Sequence, residues 1–231
     1  MVLEKIEQSL REAGFTPRGA FHPGADDGVP PLAAATPART VVLAGNAGPR
    51  MWRAFDAARA GSELTLDQWC ARVLAEVAGR LRARAVYPFQ RPYLPFQRWA
   101  ACAEACHVSP LGLLVHPDYG LWHGYRGALL FATAIALPPP DRRPSPCASC
   151  AARPCLSACP AGAFDGKNYD VASCARHLAA APAPACMGIG CLARHACPVG
   201  DDWRYVPEQA HFHMRAFLDE HHPDLTRRAP A

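Results

Sequence analysis

Leu3, Ile6 and Leu10 recur at helical spacing ahead of Gly14, which predicts an amphipathic helix over residues 2–13. Residues 21–38 are rich in proline, glycine and alanine and predict a loop. Thr40-Val41-Val42-Leu43-Ala44 is a short β-branched run that ends at Gly45-Asn46-Ala47-Gly48, the pattern of a buried strand turning into a helix over 51–60, a βα unit. Thr65 and Gln68 form a capping box at the head of the apolar stripe Leu66, Cys70, Val73, Leu74, Val77 and Leu81. A further helix is predicted over 96–107, and two strands over 111–115 and 128–137 around the turn His116-Pro117-Asp118-Tyr119-Gly120. From Gly200 onward, Trp203, Tyr205, Phe212, Met214 and Phe217 predict a packed C-terminal helix. These elements make the upstream part α/β or α+β.

The 231 residues are half apolar and carry a formal charge of +4, a globular composition whose small basic surplus names no nucleic-acid or membrane partner. The longest apolar run, over 128–137, falls well short of the ~20 residues of a membrane helix. The first residues mix acids with a helical period and show no signal-peptide pattern, so the expected location is the cytoplasm. In a reducing compartment the eleven cysteines point to metal or cluster ligation instead of disulfides.

Eight of those cysteines crowd into residues 147–197, just after the connector Leu137-Pro138-Pro139-Pro140-Asp141-Arg142-Arg143-Pro144, which places a domain boundary there. The expected division is 1–140, 141–200 and a C-terminal tail over 201–231. Cys147-x2-Cys150-x4-Cys155-x3-Cys159-Pro160 has the order of a ferredoxin run with a widened middle gap. Cys174 with Cys186-x4-Cys191-x5-Cys197-Pro198 is looser and ends on the same Cys-Pro. Eight thiolates fill two cubanes. Structural zinc, which also takes four thiolates per site, is the competing reading; the Cys-Pro at both ends favours clusters over the paired CxxC knuckles of zinc ribbons.

Leu111-Gly112-Leu113-Leu114-Val115-His116-Pro117-Asp118-Tyr119-Gly120, then Gly127-Ala128-Leu129-Leu130, the proline-rich connector, the run 147–160 followed by Ala161-Gly162-Ala163, the lone Cys174 and the closing run 186–198 resemble epoxyqueuosine reductases and the related reductive dehalogenases. The resemblance covers about residues 111–199. It implies an α+β chain, with a nitroreductase-like α/β, corrinoid-binding N-terminal domain followed by a bacterial two-cluster ferredoxin-like module. It implies two 4Fe-4S clusters, one held by Cys147, Cys150, Cys155 and Cys197 and the other by Cys159, Cys174, Cys186 and Cys191. It further implies cobalamin as cofactor and a ferredoxin, flavodoxin or reductase as redox partner.

The sequence also departs from the family. Residues 81–103 contain no Asp or Glu where the family's catalytic aspartate is expected, and the chain ends at Ala231 without the helical-repeat domain that helps the family hold tRNA. Nucleic acid and membrane are therefore not expected as partners, and no twin-arginine signal supports dehalogenation. Two functions stay open: a reductase passing single electrons to a cofactor or substrate at the N-terminal domain, or a ferredoxin-type carrier whose upstream domain docks a partner.

His116, Tyr119 and His123 are the candidate proton donors in place of the missing acid, with polar turn residues as the alternative. Cys70, Cys102 and Cys106 read as small core residues. His211, His213, His221 and His222 show no ligand spacing, Asp118 and Asp165 read as turn formers, and Gly45-Asn46-Ala47-Gly48 lacks the rest of a phosphate-binding motif. Arg80, Arg82, Arg84, Arg91 and Arg98 read as a solvated face.

Overall fold

A computed structural model describes residues 2–221. In chain order the elements are α1 (Leu3–Glu12), β1 (Thr16–Phe21), β2 (Thr40–Ala47), α2 (Arg50–Arg59), α3 (Leu66–Leu81), β3 (Arg84–Val86), α4 (Phe96–Ala103), β4 (His107–Val108), β5 (Leu114–Val115) and β6 (His123–Phe131). The cysteine-rich part adds α5 (Pro154–Ser157), α6 (Val171–Leu178), α7 (Ala185–Ile189), α8 (Leu192–His195) and α9 (Pro207–His221). Two compact units result: residues 1–106 with 123–143, and residues 107–122 with 144–231. No helix among the described residues is long and apolar enough to cross a membrane.

The first unit is built on a four-stranded sheet in the order β1-β2-β6-β3. All eight residues of β2 are buried, so the β-branched run continues three residues past Ala44 and forms the central strand. Each of its pairings, with β1 and with β6, is antiparallel, as is that of β3 with β6. The unit is therefore α+β, and among the described residues no parallel pairing of the kind an α/β reading implies is found: the βα step from β2 into α2 does not lead to a parallel neighbour. Strand β1 lay hidden in the sequence because Pro17 and Gly19 interrupt any alternation, and a register shift between Pro17 and Ala20 accommodates them on an edge strand.

Helix α3 starts as the capping box requires: Thr65 Oγ1 accepts from the Gln68 amide at 3.2 Å and Gln68 Oε1 accepts from the Thr65 amide at 3.0 Å. Its stripe buries Trp69, Cys70, Leu74 and Val77, with Trp69 stacked on Phe15 at 5.2 Å between ring centroids. Helix α4 stops at Ala103, earlier than the predicted 107, because Glu104 is extended and turns inward.

The predicted hairpin of 111–115 with 128–137 does not form. Residues 114–115 pair with 107–108 in a separate two-stranded sheet, while β6 finds longer partners in β2 and β3 and ends at Phe131. The turn at 116–120 is held instead within the second unit by a crossing of two glycines. Gly120 (φ +55°) and Gly200 (φ +79°) lie so close that a Cβ on Gly120 would collide with the Val199 carbonyl oxygen, and one on Gly200 with the Tyr119 carbonyl. Gly120→Ala should lower the stability of this unit by more than about 2 kcal/mol, read as a shift in denaturant midpoint. Gly112→Ala, at φ +72° but in open space, is the control and should cost about 1 kcal/mol.

The rest of the second unit is short helices joined by turns, with α9 packed on α6 and α7. The Arg194 guanidinium is set between the rings of Trp122 and Tyr205, 4.5 Å from each centroid, and its Nε donates to the Leu121 carbonyl at 2.9 Å. This fixes α8, which separates Cys191 from Cys197. The predicted C-terminal helix is α9, displaced past Trp203; His222 and the remainder of the tail lie outside the described residues.

Candidate metal centre

Four of the second unit's eight cysteines converge on one cavity. Cys147 sits in the turn Pro146–Ala148, where its amide donates to the Ser145 hydroxyl at 3.3 Å. Cys155 enters from α5 behind Pro154. Together with Cys150 and Cys197 they line a cavity of about 290 Å³ whose other walls include Val115, Pro198 and Val199. Burial raises the Cys147 and Cys155 thiols, and the Cys197 charge adds to the shift in both. Cys197 is itself raised by burial and by Cys150. Cys197 thus belongs with the first run, although it closes the second.

The other set is built the same way. Cys174 lies on α6, whose first turn is capped by Asp170 accepting from the Ser173 amide at 2.9 Å. Burial raises Cys174, and the charges of Cys159 and Cys186 raise it further. Cys191 caps α8 and is pushed up to about 11, chiefly by burial, with Cys186 and Cys174 contributing. The Cys159 sulfur accepts from the Ala163 amide at 3.4 Å. Cys159 packs on the apolar cluster of Leu111, Val115, Leu121 and Ala193, as do Cys191 and the first-run Cys147 and Cys155.

Half-buried thiols crowded together, such as Cys147, Cys155 and Cys197, are a poor arrangement for bare thiolates and a good one for thiolates neutralised by bound cations. Among the described residues, no three His, Cys, Asp or Glu side chains approach closely enough to hold a single metal ion. Tetrahedral zinc needs its sulfurs about 3.8 Å apart, the edge set by ~2.3 Å bonds.

Of the candidate proton donors, His116 and Tyr119 lie together in the second unit. The His116 ring is buried and its Nδ1 accepts from the amides of Asp118 and Tyr119 at 3.0 and 3.3 Å, pinning the turn while the ring stacks on Tyr119 at 4.4 Å. His123 belongs to the first unit, on β6, edge-on to Tyr125 at 6.0 Å. His211 Nδ1 meets the Met187 carbonyl at 2.8 Å, His213 lies 5.6 Å from the Tyr205 ring and His221 lies 4.4 Å from that of Phe217, which leaves the C-terminal histidines dispersed. The arginines are dispersed too: Arg98 donates to the Asp26 carbonyl at 2.6 Å and Arg91 covers the Tyr93 ring. Gly45-Asn46-Ala47 lies inside β2 and offers no amide cradle.

One buried polar cluster escaped the sequence reading. Arg18, fully buried, pairs with Glu104 at 2.5 Å and donates to the Asn46 carbonyl at 3.1 Å. The Tyr125 hydroxyl donates to Glu104 at 2.5 Å and lies 2.9 Å from the Cys106 sulfur. Burial works against the Arg18 charge, but Glu104 and Tyr125 outweigh it and the guanidinium is held above its ordinary value. Cys106 is pushed up to about 12 by burial and by Glu104, and burial raises Tyr125, so both stay protonated. The signal available was a single acid, Glu104, inside the apolar stretch 99–106. Cys70 is likewise pushed to about 12 by burial, and Cys102 lies 4.0 Å from Asp27; neither joins the two thiol sets.

No protein-family model matches the chain, and no curated protein sequence does. Among solved structures, the epoxyqueuosine reductase of Streptococcus thermophilus is 14% identical with a TM-score of 0.54, over 89% of this chain and 68% of that one. The B12-trafficking protein CblC of C. elegans is 14% identical with a TM-score of 0.53, over 94% of this chain and 95% of that one. An epoxyqueuosine reductase solved with an epoxyqueuosine-modified tRNA-Tyr stem loop gives 15% and 0.51, over 90% and 68%. At such identities the likeness is one of fold: this chain is built like these reductases and like CblC.

Proposed function

We propose that this chain is an iron–sulfur redox protein, in which Cys147, Cys150, Cys155 and Cys197 hold one 4Fe-4S cluster and Cys159, Cys174, Cys186 and Cys191 hold a second. The observation that supports it is the shared cavity of Cys147, Cys150, Cys155 and Cys197, in which the Cys-Pro cysteine that closes the second run joins the first. That exchange is how two-cluster ferredoxins share their ligands, and independent zinc ribbons have no reason to adopt it. Bound there, the clusters supply one-electron transfer. The chain's own residues hold them: the prolines after Cys159 and Cys197 turn the backbone away, the Ala163 amide donates to the Cys159 sulfur, and the apolar walls of Val115 and Leu121 limit water at the first set.

The electrons go to a cofactor or substrate at the first unit, drawn from a ferredoxin, flavodoxin or reductase. A corrinoid is the acceptor that the sequence resemblance and the fold of a B12-trafficking protein suggest. The 360 Å³ cavity of the first unit is not its seat: Pro23, Ala25, Val29, Pro31 and their neighbours line it, with no polar side chain to meet the amide arms of a corrin. The absence of an acid in 81–103, together with a Glu104 already paired to Arg18, favours a second reading, a ferredoxin-type carrier without catalysis of its own. Titrating cluster-loaded protein with cob(II)alamin and following the cobalt EPR separates the two. A base-off signal is expected of the corrinoid reading, and an unchanged spectrum at high micromolar cofactor leaves the carrier.

A further inference from the structure

The hairpin of β4 and β5 helps to enclose the first thiol set and also presents apolar side chains to solvent. Its Pro110 and Val115 line the cavity shared by Cys147, Cys150, Cys155 and Cys197. The loop between the strands is fixed, with the Ser109 amide donating to the Leu113 carbonyl at 2.8 Å and the Gly112 amide to the Ser109 carbonyl at 2.9 Å. On this frame Val108 is 70% exposed, the most exposed large apolar side chain among the described residues, and Leu113 is 44% exposed. Arg153 lines the same cavity from the head of α5 and is itself exposed. At φ +40° it holds a left-handed position that favours glycine, so an arginine stands there against the backbone's preference. The charge of these segments has one sign. Residues 105–117 contain no Asp or Glu, and between Asp141 and Asp165 the chain carries Arg142, Arg143 and Arg153 without one acid.

We propose that this face, Val108 and Leu113 with Arg153, docks a small acidic one-electron carrier that reduces the cluster held by the first set. The inference rests on the cluster reading above. The carrier is oxidised by one electron and the cluster reduced by one, and no bond or proton changes hands. Electron-transfer encounters are transient and bury less than roughly 1,200 Å² in all, which suits two exposed aliphatic side chains and a cation. The partner's chemistry follows from the charge: no carboxylate of these segments repels an anionic surface and Arg153 draws it in, whereas a basic carrier finds no acid here to pair with. The thiols of the first set are only half-buried, while Cys186 of the other set is buried, so a carrier seated on the hairpin meets the more accessible of the two clusters.

Binding and electron transfer are both read on the full chain loaded with iron and sulfide. Biolayer interferometry on an immobilised, oxidised plant-type 2Fe-2S ferredoxin, an acidic carrier, measures the Kd without turnover, and stopped-flow mixing with the same ferredoxin in its reduced form measures the transfer rate. Binding should weaken as salt rises. Arg153→Glu should raise the Kd and slow transfer by roughly tenfold at low ionic strength, and Val108→Ser should do so several-fold, both at wild-type iron content. Arg215→Glu makes the same charge change on α9, where Arg215 pairs with Asp219 at 3.2 Å, and should leave both readings nearly unchanged. Should Arg153→Glu lose iron, Val108→Ser decides, because a side chain so exposed carries little of the fold. Absence of ferredoxin binding, binding indifferent to salt, wild-type affinity in Val108→Ser, an equal loss in Arg215→Glu, or tighter binding of the basic carrier cytochrome c each overturns the docking face and leaves the clusters standing. Wild-type protein that takes up no iron and sulfide overturns both.

Discussion

Cys159→Ser is expected to abolish the cluster whose other ligands are Cys174, Cys186 and Cys191 and to spare the one nearest to it in sequence. Cys197→Ser should do the reverse. Cys197 lines one cavity with Cys147, Cys150 and Cys155, forty or more residues upstream, which leaves Cys159 for the later run. Each variant should fall from about eight irons per chain to about four, one cubane out of two. Spin-counted EPR of the reduced variants reads which signal survives. Loss of the local cluster in each case would mean that the runs do not cross.

Arg18→Met should be the most destabilising change in the first unit. It leaves the Glu104 carboxylate, 10% exposed, and the Tyr125 hydroxyl without the guanidinium that faces them, and it strips a donor from the Asn46 carbonyl on the central strand. Breaking a buried pair from one side costs about 3–5 kcal/mol, because the remaining charge stays out of water. The double variant Arg18→Met with Glu104→Leu removes that charge and should recover at least half of the loss. Native-state hydrogen exchange at the β2 amides measures both.

Where local chemistry decides structure, the sequence reading holds. The Thr65–Gln68 box starts α3, the Leu3, Ile6 and Leu10 stripe forms α1, and the run from Thr40 is a strand, because capping and periodicity act within a few residues. Pairing is where it fails. Nothing in 111–115 announces that Leu114 and Val115 pair with residues just upstream, or that the turn at 116–120 is governed by contact with Val199 and Gly200. Strand β1 was illegible for a related reason: its Pro17 and Gly19 are tolerated only because the strand lies at an edge.

The site divides along the same line. Eight cysteines with two Cys-Pro ends were visible by spacing, since thiolate ligands carry their chemistry in the residue type. The Arg18, Glu104, Tyr125 and Cys106 cluster was not, because its members come from three elements and the connecting segments carry no motif.

Iron, zinc and acid-labile sulfide determined together on protein purified without oxygen bear most directly on the cluster reading. About eight iron and eight sulfide per chain, with no stoichiometric zinc, is the predicted result. Two zinc per chain and no sulfide would contradict it, and would turn the crossed thiol sets into structural sites.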